Sequence, residues 1–497
     1  LTPEEGVNQK EYGSATYPMN NLTNALNVVS EGDTIVMMSG THKGLLNRNI
    51  ELKDKRIVIT GDLSQGPEAT IIDAESKGRH FTITASDYNN TIDTTMVIQN
   101  ITLKNGKTTA LGTQWDEGGG SIRVLNNTRP KLYNIIFDSN IDENSDTEEY
   151  YTRVMAGAVL VVNSAKVYIV SCQFINNKSI ANSSVAGAGA VYLGDSYSSN
   201  VSIIDRSIFH GNESIGKRGA WGAALYSQGR VDVTNSVFYN NTATTSDGGV
   251  AEVIRYSDIY VDELNLNKTY SIFANNTVAN NAAISSDDIN KTHGLFYYSY
   301  VDPNRDSHSL YIFNNIFYGK NSSDENTPLV LADIGNVYLD HNIIQDKDQV
   351  ELSRDDWTFD NSYDFDPMFK DTANGDYFLS DQSLALGKGV SLWEINNLQF
   401  YAPTKDARGR KRPSPSGSNP DLGAYENSLS ESPYPPKVEG LVAKGGSNQV
   451  VLNWEAMAEA DSVYKIYQSD QAFSTLSANT YIGNTTNTTF TSFGLDN

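Results

Sequence analysis

Several charged residues stand two apart or side by side on short alternating runs, and these are the positions where chemistry could occur. Arg230 and Asp232 are two apart, so a β-strand would carry both on one face. A cation beside a carboxylate is suited to proton transfer or to binding an acidic substrate. The same spacing produces a surface ion pair worth under about 1 kcal/mol, and we favour that interpretation. The other predicted outward residues are Lys166, Tyr168, Lys131, Tyr133, Asp205 and Arg206.

Other site types are weakly represented. Asp340-His341 is an adjacent pair of ionisable residues, but Leu339 and Ile344 place it on a repeated strand. There is no His/Glu set with zinc spacing, no phosphate-binding glycine loop and no Ser/His/Asp constellation. We therefore assign no catalytic, cofactor-binding or metal-binding residue.

An acidic insertion leaves calcium open as a cofactor. Carboxylate oxygens are the ligands that calcium prefers, although no stretch of the sequence matches a twelve-residue calcium loop. We expect a solvated loop here rather than a metal site. The insertion contains Asp142, Glu143, Asp146, Glu148 and Glu149.

Composition excludes several classes of function. The chain has 497 residues, with 37 Lys+Arg against 60 Asp+Glu, a net charge of −23 and a pI near 4.6. That charge argues against a nucleic-acid binder, which needs dense positive charge. No apolar run approaches the roughly 18 residues of a membrane span. Cys172 is the single cysteine, so a disulfide within the chain is excluded, and the acidic, Tyr-rich composition predicts a secreted or cell-surface protein.

A repeat must position all of these residues. An aliphatic residue is followed five positions later by Phe and three positions after that by Asn, at intervals of roughly 27 to 40 residues. This pattern predicts an all-β fold, a parallel β-helix, in which the Phe rings are buried and stacked about 4.8 Å apart. The Asn side chains would form an internal amide ladder. The four best copies contain Phe137 and Asn140, Phe174 and Asn177, Phe209 and Asn212, and Phe238 and Asn241.

Both ends of this solenoid need cover, because its terminal strands have free edges. Leu22, Ala25, Leu26 and Val29 predict a short amphipathic helix that caps the first coil. The domain is predicted to span residues 1–430, with a segment of about 356–430 closing the other end. That segment holds the basic stretch 408–412, which we interpret as a solvated loop. The alternative is that it docks on the acidic body of another copy.

The paired Gly clusters and Phe-x-x-Asn stretches of residues 118–250 resemble the repeats of chlamydial polymorphic outer membrane proteins and related right-handed β-helix proteins. The opening, from Ala25-Leu26 to Gly44, looks like the entry cap of secreted pectate-lyase-like β-helix proteins. The tail, from Asp366-Pro367 to Tyr425-Glu426, is similar to the closing segment of large bacterial surface proteins of that class. These resemblances imply a right-handed parallel β-helix and secretion. The chlamydial family also implies adhesion.

Composition changes after the Pro-rich residues 433–436. The run Val450 to Trp454, followed by Tyr464 to Tyr467, is similar to the B and C strands of a fibronectin type III module. In that module the Trp packs between two sheets. We assign residues 431–497 to such a module. It is expected to be truncated, because a complete one needs about 90 to 100 residues.

The sequence therefore predicts a secreted or cell-surface adhesion or structural protein that binds an extracellular glycan, a cell-surface partner or other copies of itself. The alternative is a polysaccharide lyase or glycoside hydrolase acting in the β-helix groove. The sequence shows no basic cluster on the repeated strands, so we expect no depolymerisation of acidic polysaccharides.

Overall fold

The computed structural model describes residues 13–87, 92–109, 117–144, 154–194, 201–247, 249–257, 269–285, 296–299, 308–319, 330–332, 336–346, 359–432, 438, 440–455, 464–468 and 481–493. Contacts divide the chain into two compact units, Leu1–Ser432 and Pro433–Asn497. The first unit is a parallel β-helix, as the repeat predicts. Its strands form five ladders, in each of which a strand pairs in parallel with its counterpart on the next coil.

Ladders 1 and 2 form one 19-stranded sheet, because the long strands β7 (Val97–Lys104) and β10 (Lys131–Asp138) run through both. Ladder 1 also contains β1 Thr34–Val36, β4 Val58–Thr60, β14 Tyr168–Val170, β19 Ser202–Asp205, β24 Val231–Thr234, β29 Thr269–Ala274, β33 His308–Phe313, β36 Asn336–Asp340 and β38 Phe359–Asp360. Ladder 2 also contains β2 Gly40–His42, β5 Thr70–Asp73, β15 Gln173–Ile175, β20 Ile208–His210, β25 Val237–Tyr239, β30 Thr277–Ala279, β34 Ile316–Tyr318 and β37 Ile343–Ile344.

Three further ladders form the remaining faces, and ladders 3 and 4 extend over only some of the coils. Ladder 3 contains β8 Lys107–Thr109, β11 Ile141–Asn144, β16 Lys178–Ala181, β21 Glu213–Gly216, β26 Thr242–Thr245 and β31 Ala282–Ser285. Ladder 4 contains β12 Val154–Met155, β17 Val185–Gly187, β22 Gly219–Trp221 and β27 Val250–Ala251. Ladder 5 contains β3 Ile50–Lys53, β6 Phe81–Thr84, β9 Ile122–Val124, β13 Val159–Val161, β18 Val191–Leu193, β23 Leu225–Ser227, β28 Ile254–Ser257, β32 Phe296–Ser299 and β35 Val330–Ala332.

The Phe column lies at the centre of the core, as predicted. Phe137, Phe174, Phe209 and Phe238 are fully buried on consecutive strands of ladder 2. Their ring centroids are 4.6, 4.7 and 4.5 Å apart, with planes within 10° of parallel. This spacing is that of neighbouring strands, so the rings stack in the register that the repeat predicts.

The predicted amide ladder is also present, at the bend between ladders 2 and 3. Asn140, Asn177, Asn212 and Asn241 are fully buried, and each side-chain oxygen after the first accepts from the preceding Asn. Asn281 continues the column, with its oxygen accepting from the Asn241 amide at 3.0 Å. These bonds satisfy polar groups that the bend would otherwise leave buried without partners.

The N-terminal cap is confirmed as a helix, α1, at Leu22–Leu26. The Asn21 side chain caps it by accepting from the Asn24 N–H at 2.9 Å. Leu22 is buried in the core, with Ala25, Leu26 and Val29 packed against it. Short 3₁₀ helices follow at Leu45–Asn47 and Pro67–Ala69.

The predicted closing segment lies in a different place from the one we expected. Its first described residues form β38, the last strand of ladder 1. The residues after it pack along the outer face of ladders 1 and 2, where Leu386 and Leu422 meet Ile316, and Phe400 meets Tyr311. The later strands of ladders 1 and 2 carry apolar side chains on their outer face, and the closing segment shields these side chains from water. The segment contains the antiparallel pairs β39 Phe369–Asp371 with β40 Asp376–Leu379 and β41 Leu392–Ile395 with β42 Leu398–Tyr401, and a 3₁₀ helix at Thr372–Asn374.

The basic stretch 408–412 is not simply a solvated loop, which corrects the sequence interpretation. The Arg412 guanidinium is fully buried and lies 3.0 Å from the Glu426 carboxylate. The Arg408 guanidinium lies 2.8 Å from the buried Asp406 carboxylate. Burial raises the pKa of Asp421, beside this cluster, to about 7. A closely packed segment over an apolar sheet must pair its charges internally, since unpaired buried charges are costly.

The second unit consists of two small antiparallel sheets. One contains β43 Val442–Gly446, β44 Gln449–Asn453 and β47 Thr489–Phe493, and the other β45 Tyr464–Tyr467 and β46 Tyr481–Thr485. Trp454 is buried, and its ring centroid lies 5.1 Å from that of Tyr464. The assignment of this unit to the fibronectin type III family stays a prediction.

Candidate functional site

Four of the predicted outward residues lie together in one groove on the outer face of ladder 1. The groove has a volume of about 760 Å³ and contains Lys131, Tyr168, Asp205 and Arg206. Parallel pairing explains the placement, because Lys131, Tyr168 and Ile203 are register partners on three consecutive strands. Pro403, Thr404 and Lys405 of the closing segment form the opposite wall. We call this set of residues the outer groove.

Asp205 is the acidic residue of the outer groove, and its carboxylate is held by three side chains. One oxygen accepts from the Thr234 hydroxyl at 2.9 Å and from the Asn235 amide at 3.0 Å. The other lies 2.7 Å from Nε of Arg206. These bonds fix the orientation of Asp205 and neutralise its charge. They also hold Arg206, whose backbone has a left-handed φ of 51°, against the groove wall.

Lys131 and Lys405 supply positive charge to the same groove. The Lys131 ammonium lies 5.1 Å from the centroid of the Tyr133 ring, which is a cation–π contact. Within the described ranges, no carboxylate lies within ion-pair distance of Lys131 or Lys405. Lys405 comes from the closing segment, far along the chain, so the groove holds more positive charge than the repeated strands alone supply.

Lys166, which we expected to point outward, is buried and only 3% exposed. It precedes β14, next to a turn where Asn163 and Ser164 have left-handed φ values of 58° and 59°. The turn interrupts the two-residue alternation, so counting back from Tyr168 does not predict which side Lys166 faces.

Arg230 and Asp232 contact the next coil rather than forming the simple solvated pair that we favoured. Nε of Arg230 donates to the Tyr270 carbonyl at 3.0 Å, and its guanidinium carbon lies 5.6 Å from the Tyr270 ring centroid. An oxygen of Asp232 accepts from the Ile272 N–H at 3.0 Å. Burial raises the pKa of Asp232 to about 6, while the charge of Arg230 opposes that rise.

Asp340 is the last residue of a repeated strand, as predicted, and His341 follows it directly. Asp340 ends β36 and is buried, with one oxygen accepting from the Asn361 amide at 3.0 Å. Nδ1 of His341 lies 2.9 Å from the other carboxylate oxygen.

Part of the acidic insertion is a strand rather than a solvated loop. Asp142 is fully buried within β11, where its carboxylate accepts from the Thr108 hydroxyl at 2.7 Å and the Met155 N–H at 2.9 Å. Burial raises the pKa of Asp142 to about 7. The neighbouring Glu143 pairs with Lys107 at 2.7 Å. Asp146, Glu148 and Glu149 lie outside the described residues.

Two features escaped sequence reasoning. A second polar ladder runs along the bend between ladders 1 and 2, where each backbone N–H donates to the side chain of the next coil. A signal for it existed, because its members stand two residues before the core column that includes Phe174, Phe209 and Phe238. The ladder consists of Cys172, Ser207, Ser236, Asn276, Asn315 and Asn342.

The other feature is a buried ion pair beside ladders 4 and 5. Glu252 is fully buried and lies 2.7 Å from the Arg255 guanidinium. The carbon of that guanidinium is 4.8 Å from the Trp221 ring centroid and 5.4 Å from that of Tyr226. Charge pairing and ring stacking together compensate for burial of the arginine.

Among the described residues, no three His, Cys, Asp or Glu side chains are arranged to hold a metal ion. In the same part of the chain, no helix is long and apolar enough to cross a membrane.

Comparison with known proteins assigns neither a family nor an activity to this chain. No known protein family and no curated protein matches this sequence. Among solved structures, the chain is similar to the crystal structure of pectate lyase Pel9A, with 14% sequence identity and a TM-score of 0.35. The similarity covers 85% of this chain and 94% of that one. At such identity and TM-score it assigns no activity, and what is established here is a parallel β-helix.

Proposed function

We propose that this chain is an extracellular β-helix protein, acting in adhesion or as a structural element, that binds an acidic glycan in the outer groove. The observation that carries the proposal is the charge of that groove. Lys131 and Lys405 each add a positive charge to it, whereas Asp205 and Arg206 form an ion pair in which the two charges cancel. In a chain with a net charge of −23, such a locally cationic concave surface favours an anionic ligand.

The shape of the groove supports a polymer rather than a small compact ligand. It is an open depression along a regular sheet, and its residues come from strands that repeat at a fixed interval. Tyr168 is half-buried between Lys131 and Ile203 and presents a ring on which a sugar could lie. Lysine and arginine side chains would then bind the carboxylates or sulfates of successive sugars.

The lyase alternative depends on the same residues, because Lys131 and Arg206 beside Asp205 are the types that proton abstraction from an acidic sugar requires. The hydrogen bonds of Asp205 favour binding of the glycan over its cleavage. Both of its oxygens accept from side chains of the protein, which holds it as a positioning group for Arg206.

The test compares binding and cleavage in one set of variants. Wild-type protein should bind polygalacturonate more tightly than neutral dextran, and the binding should weaken as salt rises. Lys131→Gln with Lys405→Gln should reduce that binding about tenfold or more, since two charge-assisted contacts are lost. Lys53→Gln with Lys444→Gln is the matched control, because it removes the same charge outside the groove.

Product formation decides between the two functions. The proposal expects no unsaturated sugar, measured by its ultraviolet absorbance, during prolonged incubation with polygalacturonate. Unsaturated product that disappears in Lys131→Gln would establish the lyase instead. Equal binding by the groove variant and the control would refute the groove as the binding site.

The second unit is proposed to be a fibronectin type III module that supports the adhesive function. The burial of Trp454 against Tyr464, beside two antiparallel sheets, supports this assignment.

A further inference from the structure

The closing segment contains its own cavity, built from residues that the outer groove does not use. The cavity has a volume of about 520 Å³. Four cations line it: Lys370 from β39, and Arg408, Arg410 and Lys411 from the basic stretch. The acidic residues on its wall are Asp376, Asp381 and Glu426. We call it the closing-segment cavity.

The acidic residues already have partners within the protein. Glu426 lies 3.0 Å from the buried Arg412 guanidinium and also accepts from the N–H groups of Ser414 and Asp421. Asp381 accepts from the amide of Asn427 at 3.0 Å, and Asp376 from the Phe378 N–H at 3.0 Å. These contacts fix the orientation of the carboxylates, and only Glu426 has its charge balanced by a cation, Arg412.

Three of the four cations have no carboxylate partner in the part of the chain that the structure describes. Arg408 is held by Asp406 and stacks on the Phe378 ring, 4.6 Å from its centroid. Across the described ranges, no carboxylate lies within 4.0 Å of the charged groups of Lys370, Arg410 or Lys411. Acidic residues outnumber basic ones 60 to 37 in this chain, so three unpaired cations on one concave surface are unexpected.

A tight turn fixes the backbone that carries Arg408 and Arg410. One oxygen of the buried Asp406 accepts from the N–H groups of both Arg408 and Arg410 at 2.9 Å. Gly409 takes a left-handed φ of 79° at the tip of the turn. At its base, the backbones of Lys405 and Lys411 form an antiparallel β-bridge. The turn thereby directs Arg408 onto Asp406 and leaves Arg410 and Lys411 on the cavity wall. A ligand would meet a preorganised backbone, which lowers the cost of binding.

We propose that the closing-segment cavity binds an anionic group, a sulfate, phosphate or carboxylate, through Lys370, Arg410 and Lys411. This site is separate from the outer groove and does not depend on the function proposed for it. The anionic group is either a free inorganic anion or the acidic substituent of a glycan, and the cavity would bind both through the same contacts.

Titration calorimetry at low ionic strength tests the proposal with inorganic sulfate and with a heparin oligosaccharide as probes. Wild-type protein should bind at least one of them, and binding of sulfate alone identifies the free anion as a sufficient ligand. Lys370→Gln with Arg410→Gln and Lys411→Gln should weaken that binding about tenfold or more. Lys53→Gln with Lys77→Gln and Lys444→Gln, the control of equal charge change, should retain it within about twofold.

Two results would overturn the proposal: no binding of either probe by wild-type protein, or equal binding by the triple variant and its control. The groove variant Lys131→Gln with Lys405→Gln separates the two sites. Loss of heparin binding in that variant, with full retention in the Lys370, Arg410 and Lys411 variant, would place the ligand in the outer groove alone. The thermal midpoint of the triple variant should match that of the control, because Lys370, Arg410 and Lys411 are exposed.

Discussion

Replacement of Asn212 by Ala should destabilise the β-helix more than any exposed substitution on the same coil. The Asn212 side-chain oxygen accepts from the N–H and the amide of Asn177 at 3.0 and 2.9 Å. Its amide donates to the Phe174 carbonyl and the Asn241 oxygen, both at 2.9 Å. All of these groups are buried where water does not replace the lost partner.

The magnitude follows from the groups left without partners. The Asn177 N–H and the Phe174 carbonyl each lose this buried contact, and an unsatisfied buried polar group costs about 1–3 kcal/mol. Two such groups give a loss of roughly 2–6 kcal/mol in the free energy of unfolding. The matched control is Asn240→Gly, which removes an exposed Asn whose left-handed φ of 53° suits glycine. That change should cost under about 1 kcal/mol.

Urea unfolding followed by far-ultraviolet circular dichroism measures both variants, and hydrogen exchange locates the effect. Amides on the coils that contain Asn177, Asn212 and Asn241 should lose protection, because each coil of a solenoid is stabilised mainly by its neighbours. An Asn212→Ala protein no less stable than Asn240→Gly would refute the claim that the amide ladder stabilises the fold.

Three further substitutions test the core and its buried charges. Phe209→Ala should lower the free energy of unfolding by about 3–5 kcal/mol, measured by urea unfolding, and an unchanged midpoint would contradict the stacked core. Asp142 binds its proton more tightly in the folded protein, because burial raises its pKa from 3.8 to about 7. The free energy of unfolding should therefore fall by roughly 4 kcal/mol as the pH increases through that interval. Asp142→Asn should therefore flatten the pH dependence of the thermal midpoint between about pH 4 and pH 7, and an unaltered pH profile would exclude Asp142 as its source. Glu426→Gln leaves the buried Arg412 without its ion pair and should cost about 3–5 kcal/mol, seen as early unfolding of the closing segment, and a wild-type midpoint would show that this pair is dispensable.

The core was predictable from sequence because its contacts repeat. Phe209 and Asn212 recur at constant offsets, and parallel pairing converts a constant offset into a stack. The residues of the second polar ladder also recur at a constant distance from the core column, but the residue type varies among Cys, Ser and Asn. A search for one residue type therefore misses it.

The candidate sites were only partly predictable. Lys131, Tyr168, Asp205 and Arg206 share one face because strand alternation is local, and that part was foreseen. Lys405 and the closing-segment cavity depend on where a segment far along the chain packs, and apolar contacts with distant coils determine that position. The burial of Arg412 was not predicted for a related reason. Its partner Glu426 belongs to another part of the closing segment, and only the packing of that segment brings the two together.

The central claim, an acidic glycan in the outer groove, is tested most directly by a crystal structure of the protein with a galacturonate oligosaccharide. Our account predicts sugar density over the Tyr168 ring, with carboxylates contacting Lys131, Arg206 or Lys405. Sugar bound only elsewhere on the molecule, with the outer groove filled by water at saturating ligand, would contradict it.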